Sequence, residues 1–280
     1  NGHPVVAFDG TNFLVVWQKY INNSYNIYGT RVSPDGQVLG EFLIFTSTGG
    51  QVSPTIAFDG NNSLVVWSDT RTGSGPSDDT NIYGTRVTPQ DVVLDPLGIP
   101  VCSAGGMQDT PVLAFDGNNY FAVWTDGRIY EGSIGQIPGF DIYGTRIATD
   151  GTVLDVDGIP INTVQYMDFN GKANPSITFD GSNYFVAWQT GSYINHPPGG
   201  IFATWVSPAG QVITKDMGED GLSISGPPSG YWYPSSPYPP SKYFYPVTEL
   251  GTNNMFVTWM NERDLNGIAK DIRAALLPVP

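Results

Sequence analysis

Hydrophobic and polar positions alternate along this chain in short runs that end on the same punctuation five times over. In the first run, residues 4–8 read as a strand and Asp9-Gly10 as the start of a tight hairpin turn. Residues 13–17, dense in β-branched and aromatic side chains, make a second strand. Residues 27–32 make a third, Pro34-Asp35-Gly36 a turn, and residues 37–45 a fourth.

The same unit recurs. Ala7-Phe8-Asp9-Gly10, Ala57-Phe58-Asp59-Gly60, Ala114-Phe115-Asp116-Gly117 and Thr178-Phe179-Asp180-Gly181 each precede a Trp by the same interval: Trp17, Trp67, Trp124 and Trp188. Glu249-Leu250-Gly251 leads to Trp259 as a degenerate fifth copy. A second motif follows each Trp: Ile27-Tyr28-Gly29-Thr30-Arg31-Val32, then 82–87, 142–147 and 201–206, with a weak fifth at 271–275. Four short antiparallel strands, repeated five times, predict an all-β fold, a five-bladed β-propeller of four-stranded blades. The whole of 1–280 is expected to be one such domain, with blades near 1–49, 50–109, 110–173, 174–242 and 243–280. The last blade is expected to lack its fourth strand, because the third runs to about Leu277 and the sequence reaches only Pro280.

Antiparallel order puts the first and third turns of each unit at one end, and the second turn and the inter-unit connection at the other. The stretch between each Trp and the next motif Ile varies in length, so variable loops gather on one end, where binding usually resides. One long segment there, 226–245, is rich in Pro and aromatics: Tyr231, Trp232, Tyr233, Tyr238, Tyr243 and Tyr245. Three roles are open to it: a private lid, a protein contact or a glycan platform.

The segments Trp67-Ser68-Asp69-Thr70-Arg71 with Asn81-Ile82-Tyr83-Gly84, and Trp124-Thr125-Asp126-Gly127-Arg128 with Asp141-Ile142-Tyr143, resemble repeats of secreted bacterial and archaeal surface propellers of the TolB-type and WD40-like kind. That resemblance implies a blade architecture and no particular activity. Copies one and four depart from it, carrying Gln18-Lys19-Tyr20 and Gln189-Thr190-Gly191. The Asp and Arg therefore do something that not every blade requires.

Composition narrows the partners. The formal charge of −14 repels phosphate backbones, so nucleic acid is not expected, and no apolar run is long enough for a helical membrane span. A surface of Asn, Ser, Thr, Gly and Tyr with only 14% charged residues points to an extracellular or cell-surface protein. The start at Asn1 reads as a processed chain or a segment of a longer one. Cys102 is the single cysteine, expected as a small apolar core residue. Asn22-Asn23-Ser24 and Asn61-Asn62-Ser63 are glycosylation sequons.

Two chemistries suit the acidic residues. Asp69 with Arg71, and Asp126 with Arg128, are loop staples; alternatively Asp69, Asp78 and Asp79 in one loop, and Asp126, Glu131 and Asp141 in the next, are hard oxygen donors suited to calcium. The recurring Asp95-Pro96-Leu97-Gly98-Ile99-Pro100 and Asp155 to Pro160 read as turn architecture, since an active site is normally made once. No histidine cluster or Ser-His-Asp pattern is present, and glutamates are few: Glu41, Glu131, Glu219, Glu249 and Glu262. The functional expectation is a non-enzymatic extracellular propeller for structure or adhesion, associating with copies of itself or another surface protein into filaments. The alternatives are a lectin-like glycan binder and a five-bladed glycoside hydrolase with carboxylates at the central channel.

Overall fold

The computed structural model describes residues 2–71, 80–128, 140–162, 171–190, 200–213, 221–225, 242–252, 254–262 and 270–278. The first sheet is built of β1 (Gly2–Phe8), β2 (Phe13–Ile21), β3 (Ser24–Val32) and β4 (Val38–Phe45), in that order. The second holds β5 (Gln51–Phe58), β6 (Ser63–Asp69), β7 (Asn81–Val87) and β8 (Ile99–Cys102). The third holds β9 (Gln108–Phe115), β10 (Asn119–Asp126), β11 (Asp141–Ala148) and β12 (Ile159–Asn162). In the fourth, β13 (Lys172–Phe179), β14 (Tyr184–Thr190) and β15 (Ile201–Val206) are followed by two short pieces on β15, β16 (Val212–Ile213) and β17 (Leu222–Ser223). The fifth has three described strands, β18 (Lys242–Leu250), β19 (Asn254–Glu262) and β20 (Lys270–Pro278). These sheets are the five blades of an all-β propeller, and the last blade is three-stranded among the described residues.

The chain forms two compact units, Asn1–Glu131 with Gly144–Ile159, and Gly132–Tyr143 with Pro160–Pro280. In the first unit, β1 lies beside β5 and β5 beside β9; in the second, β13 lies beside β18. Apolar side chains fill the space between successive sheets. Leu14, Val16 and Ile27 of blade one meet Ile56, Val65 and Trp67 of blade two. Phe185, Ala187 and Ile201 of blade four meet Met255, Val257 and Trp259 of blade five. Removing these side chains from water is the main drive for stacking blades, at about 25 cal/mol per Å².

The turns differ in detail from the sequence expectation. Asp9-Gly10 opens a four-residue loop, and Asp9 Oδ1 caps it by accepting from Thr11 N and Asn12 N. Asp59, Asp116 and Asp180 do the same, with Gly10, Gly60, Gly117 and Gly181 all near φ +90°. In blade one, Asn22 and Asn23 both adopt positive φ, 52° and 64°, which gives a two-residue hairpin. For that reason β2 and β3 run several residues past their expected ends.

One feature recurs in all five blades at the loop-bearing end of the first strand. His3, Ser53, Thr110, Asn174 and Tyr245 have φ between 50° and 53°, and each directly precedes a proline. The pairing register shifts at each of these points. Proline has no N–H for the ladder, so a bulge is where a strand tolerates it.

Candidate functional site

The Trp-x-Asp-x-Arg motif resolves into a staple. The Trp67 ring is fully buried, so its indole N–H needs a partner, and Asp69 Oδ2 accepts it at 2.8 Å. Arg71 then closes on the same carboxylate, with Nη2 2.6 Å from Oδ2 and both its backbone N and Nε on Oδ1. Trp124, Asp126 and Arg128 repeat the arrangement. The guanidinium reaches on to the outer loop of its own blade, Arg71 to the Leu97 carbonyl and Arg128 to that of Asp157. Trp17 and Trp188, whose blades lack the Asp, have no hydrogen bond on the indole nitrogen among the described residues.

This accounts for two residues expected as calcium ligands. Asp69 and Asp126 are fully buried, and both oxygens of each are taken up by Trp and Arg. Asp141 is buried against Lys172, with Nζ at 3.0 Å. Asp78, Asp79 and Glu131 lie outside the described residues. Among the described residues, no group of three or more His, Cys, Asp or Glu side chains is placed to hold a metal.

Of the aromatic segment, Tyr231, Trp232, Tyr233 and Tyr238 lie outside the described residues. Tyr243 falls in β18 with its side chain outside them. Tyr245 is the left-handed residue of blade five; its ring is 60% exposed, and its N–H donates to Gln189 Oε1 at 2.9 Å.

A polar face assembles instead from two positions of the repeat: the residue after each Trp, and the residues at each first-strand bulge. In the first unit these are Gln18, Ser68 and Thr125, all buried, with exposed His3 and half-buried Ser53, Asp109 and Thr110. They interlock across blades. Gln18 Oε1 accepts from Ser53 N at 2.7 Å. Ser68 is too short for that task, and Asp109 completes it: Ser68 Oγ donates to Asp109 Oδ1 at 2.7 Å, and Thr110 N donates to the same oxygen at 2.7 Å. Thr110 and Thr125 hydroxyls meet at 2.9 Å. Asp109 Oδ2 accepts nothing from the described residues.

Asp109 was not singled out by the sequence expectations, and its signal was available. Among the described first strands only two carboxylates occur, Asp109 and Glu249. Glu249 pairs with Phe256 beside the turn at the opposite end of its strand and is exposed. Glu41 is held by Lys19. Asp109 is thus the one described first-strand acid at the loop-bearing end.

No protein-family model and no characterised protein sequence matches this chain. Solved structures do match. A thermostable family-43 glycoside hydrolase aligns with a TM-score of 0.58 over 100% of this chain and 90% of its own, at 14% identity. The Cellvibrio cellulosa α-L-arabinanase, solved with arabinohexaose, aligns with a TM-score of 0.51 over 98% and 90%, at 10% identity. A Bacteroides ovatus protein described as xyloglucan PUL GH43B aligns at 0.50 and 14% identity. This chain spans 99% of itself but only 52% of that protein, about half its length. Likeness at such identities shows the fold: a five-bladed propeller.

The expectation of a non-enzymatic, filament-forming adhesion propeller is corrected here, because the matching five-bladed structures are glycoside hydrolases along almost the whole chain. That expectation leaned on the repeat, and the repeat encodes the blade: where Asp and Arg occur, in blades two and three, they are consumed in stapling Trp. The resemblance to surface propellers holds for the propeller architecture; the family-43 hydrolase and the arabinanase named above share that architecture.

Proposed function

We propose that this chain is an extracellular glycoside hydrolase that binds its sugar at the loop-bearing end of the first strands, with Asp109 as one of its carboxylates. The observation that carries this reading is the placement of Asp109. It stands on a first strand of a fold shared with glycoside hydrolases, and both hydrogen bonds it accepts fall on one oxygen. Ser68 Oγ and Thr110 N both occupy Oδ1, which leaves Oδ2 available to a ligand or a water. The hydroxyls and amides around it suit a neutral polyol.

Glycoside hydrolysis in its usual form needs a second carboxyl group, roughly 5–5.5 Å away for retention of configuration or 6.5–9.5 Å for inversion. One protonates the departing oxygen while the other activates water or attacks the sugar carbon. By sequence Glu131, Glu219 and Glu262 are candidates for it; Glu131 and Glu219, and the side chain of Glu262, lie outside the described residues.

Release of reducing sugar from arabinan oligosaccharides, aryl α-L-arabinofuranosides and a wider glycoside panel tests the reading. Turnover by the wild type, reduced at least about 100-fold in Asp109→Asn, supports it. A second reading, glycan binding without turnover, is favoured by one fact: the other first strands carry no ionisable residue where Asp109 stands, but Gly2, Val52, Ala173 and Phe244. Saturable binding with no product release selects that reading.

A further inference from the structure

The boundary between blades one and two and that between blades two and three are built from the same repeat positions, and the second lacks an aromatic ring that the first holds beside its arginine. In the first, Phe45 pairs with Ile27; its ring centroid is 4.6 Å from that of Trp67, and the Arg71 guanidinium lies over it at 4.6 Å. In the second, Cys102 pairs with Ile82, the corresponding register position. Arg128 corresponds to Arg71, and its Nη2 is 3.5 Å from the Cys102 sulfur. Phe45 has no aromatic counterpart here, and Cys102 and Arg128 together line a cavity of about 580 Å³. That volume lies in the range of small-molecule sites.

The walls are apolar. Ile99 and Val101 of β8 line one side, Val153 and Val156 of blade three the other, with Asp157 at the exposed rim. Burial pushes the Cys102 thiol up, so this residue contributes space rather than reactivity. An apolar slot beside a guanidinium attracts the face of a π system, as Arg71 already shows on Phe45 and, at 3.9 Å, on Tyr83.

We propose that this cleft binds a small aromatic molecule with one hydrogen-bond donor, a phenol or an indole. Its ring takes the place that Phe45 holds one blade earlier, and its O–H or N–H donates to the Asp157 carboxylate. The site is separate from the sugar face and stands whether or not the chain hydrolyses glycosides.

Calorimetric titration with phenol and with indole, using cyclohexanol as a non-aromatic match in size, tests it. Saturable binding of both aromatics is expected, about tenfold tighter than cyclohexanol. Cys102→Phe copies the Phe45 solution into blade two; it is expected to raise Tm and abolish binding. Failure of both aromatics to saturate, or unchanged binding in Cys102→Phe, overturns the proposal. Should that variant not fold, Asp157→Ala at the exposed rim takes its place: it is expected to weaken binding of both aromatics several-fold, and unchanged binding overturns the proposal.

Discussion

The side-chain oxygen Oε1 of Gln18, on the second strand of blade one, accepts the backbone N–H of Ser53, on the first strand of blade two, at 2.7 Å. Ser53 sits at φ 52°, where the bulge turns its N–H away from the strand ladder. The contact therefore satisfies a donor that the strand cannot, and it ties one blade to the next. Gln189 and Tyr245 repeat it between blades four and five.

Gln18→Ala is accordingly expected to destabilise the protein by about 1 kcal/mol, the cost of leaving a half-buried donor without its partner. Gln18→Glu keeps the acceptor and is expected to lose less. Urea denaturation checks both, with a lowered midpoint at unchanged slope as the expected signature.

A second prediction concerns acid. Asp95 and Asp155 each hold the arginine of the Tyr-Gly-Thr-Arg motif, with Arg86 Nη2 at 2.8 Å and Arg146 Nη2 at 2.7 Å. Burial alone raises each carboxyl, but the arginine's hydrogen bonds and charge outweigh it, and both are held below the ordinary value of 3.8. A carboxylate with a depressed folded value adds stability above its unfolded value, and that stability is lost as pH falls through the folded one. The loss therefore falls below about pH 4. Asp95→Asn with Asp155→Asn is expected to lower Tm at pH 7 and to flatten the fall of Tm between pH 4 and pH 2. A double variant as steep as the wild type would assign the acid limb to other carboxylates.

The pair Lys172 and Asp141 allows a test built on the protein's own repeats. The first strands of blades two and three begin with Gln51 and Gln108, and Asn26 and Asn81 open the matching motifs of the blades before them. At the next position both residues have become charged and are buried together. Breaking such a pair from one side costs about 3–5 kcal/mol, because the other charge stays buried without its counterion. Lys172→Gln and Asp141→Asn are each expected to cost that much. Combined, they restore the neutral Asn and Gln that the preceding blades carry at these positions and are expected to stay within about 1 kcal/mol of wild type. Additive losses in the double variant would contradict this.

The blade was legible in the sequence because it is encoded locally. The Asp of each Phe-Asp-Gly caps its own loop, Trp67 and Trp259 fill the boundaries of blades one and two and of blades four and five, and the motif glycines mark close backbone approach, as at Gly84, where a Cβ would lie 3.0 Å from the Val65 carbonyl. The interlocking face was harder to read, because its residues meet only across blades. Gln18 and Ser53 are 35 positions apart, and Ser68 and Asp109 are 41. Yet five prolines at one place in the repeat, from Pro4 to Pro246, signalled the bulge that brings them together. The staple was half legible: Asp69 and Arg71 announced a partnership, while the buried indole that fixes them shows only in three dimensions. The candidate carboxylate escaped notice because Asp109 is one acid among many until the strands show which end it occupies.

The most direct test of the glycosidase account is a comparison of wild type and Asp109→Asn on the same oligosaccharide, with binding and product release followed together by NMR. The account predicts that the variant still binds, with shifts at Thr110 and Ser53, while its turnover falls by about 100-fold or more. Full turnover in Asp109→Asn, or oligosaccharide shifts confined to the opposite end of the strands, would contradict it.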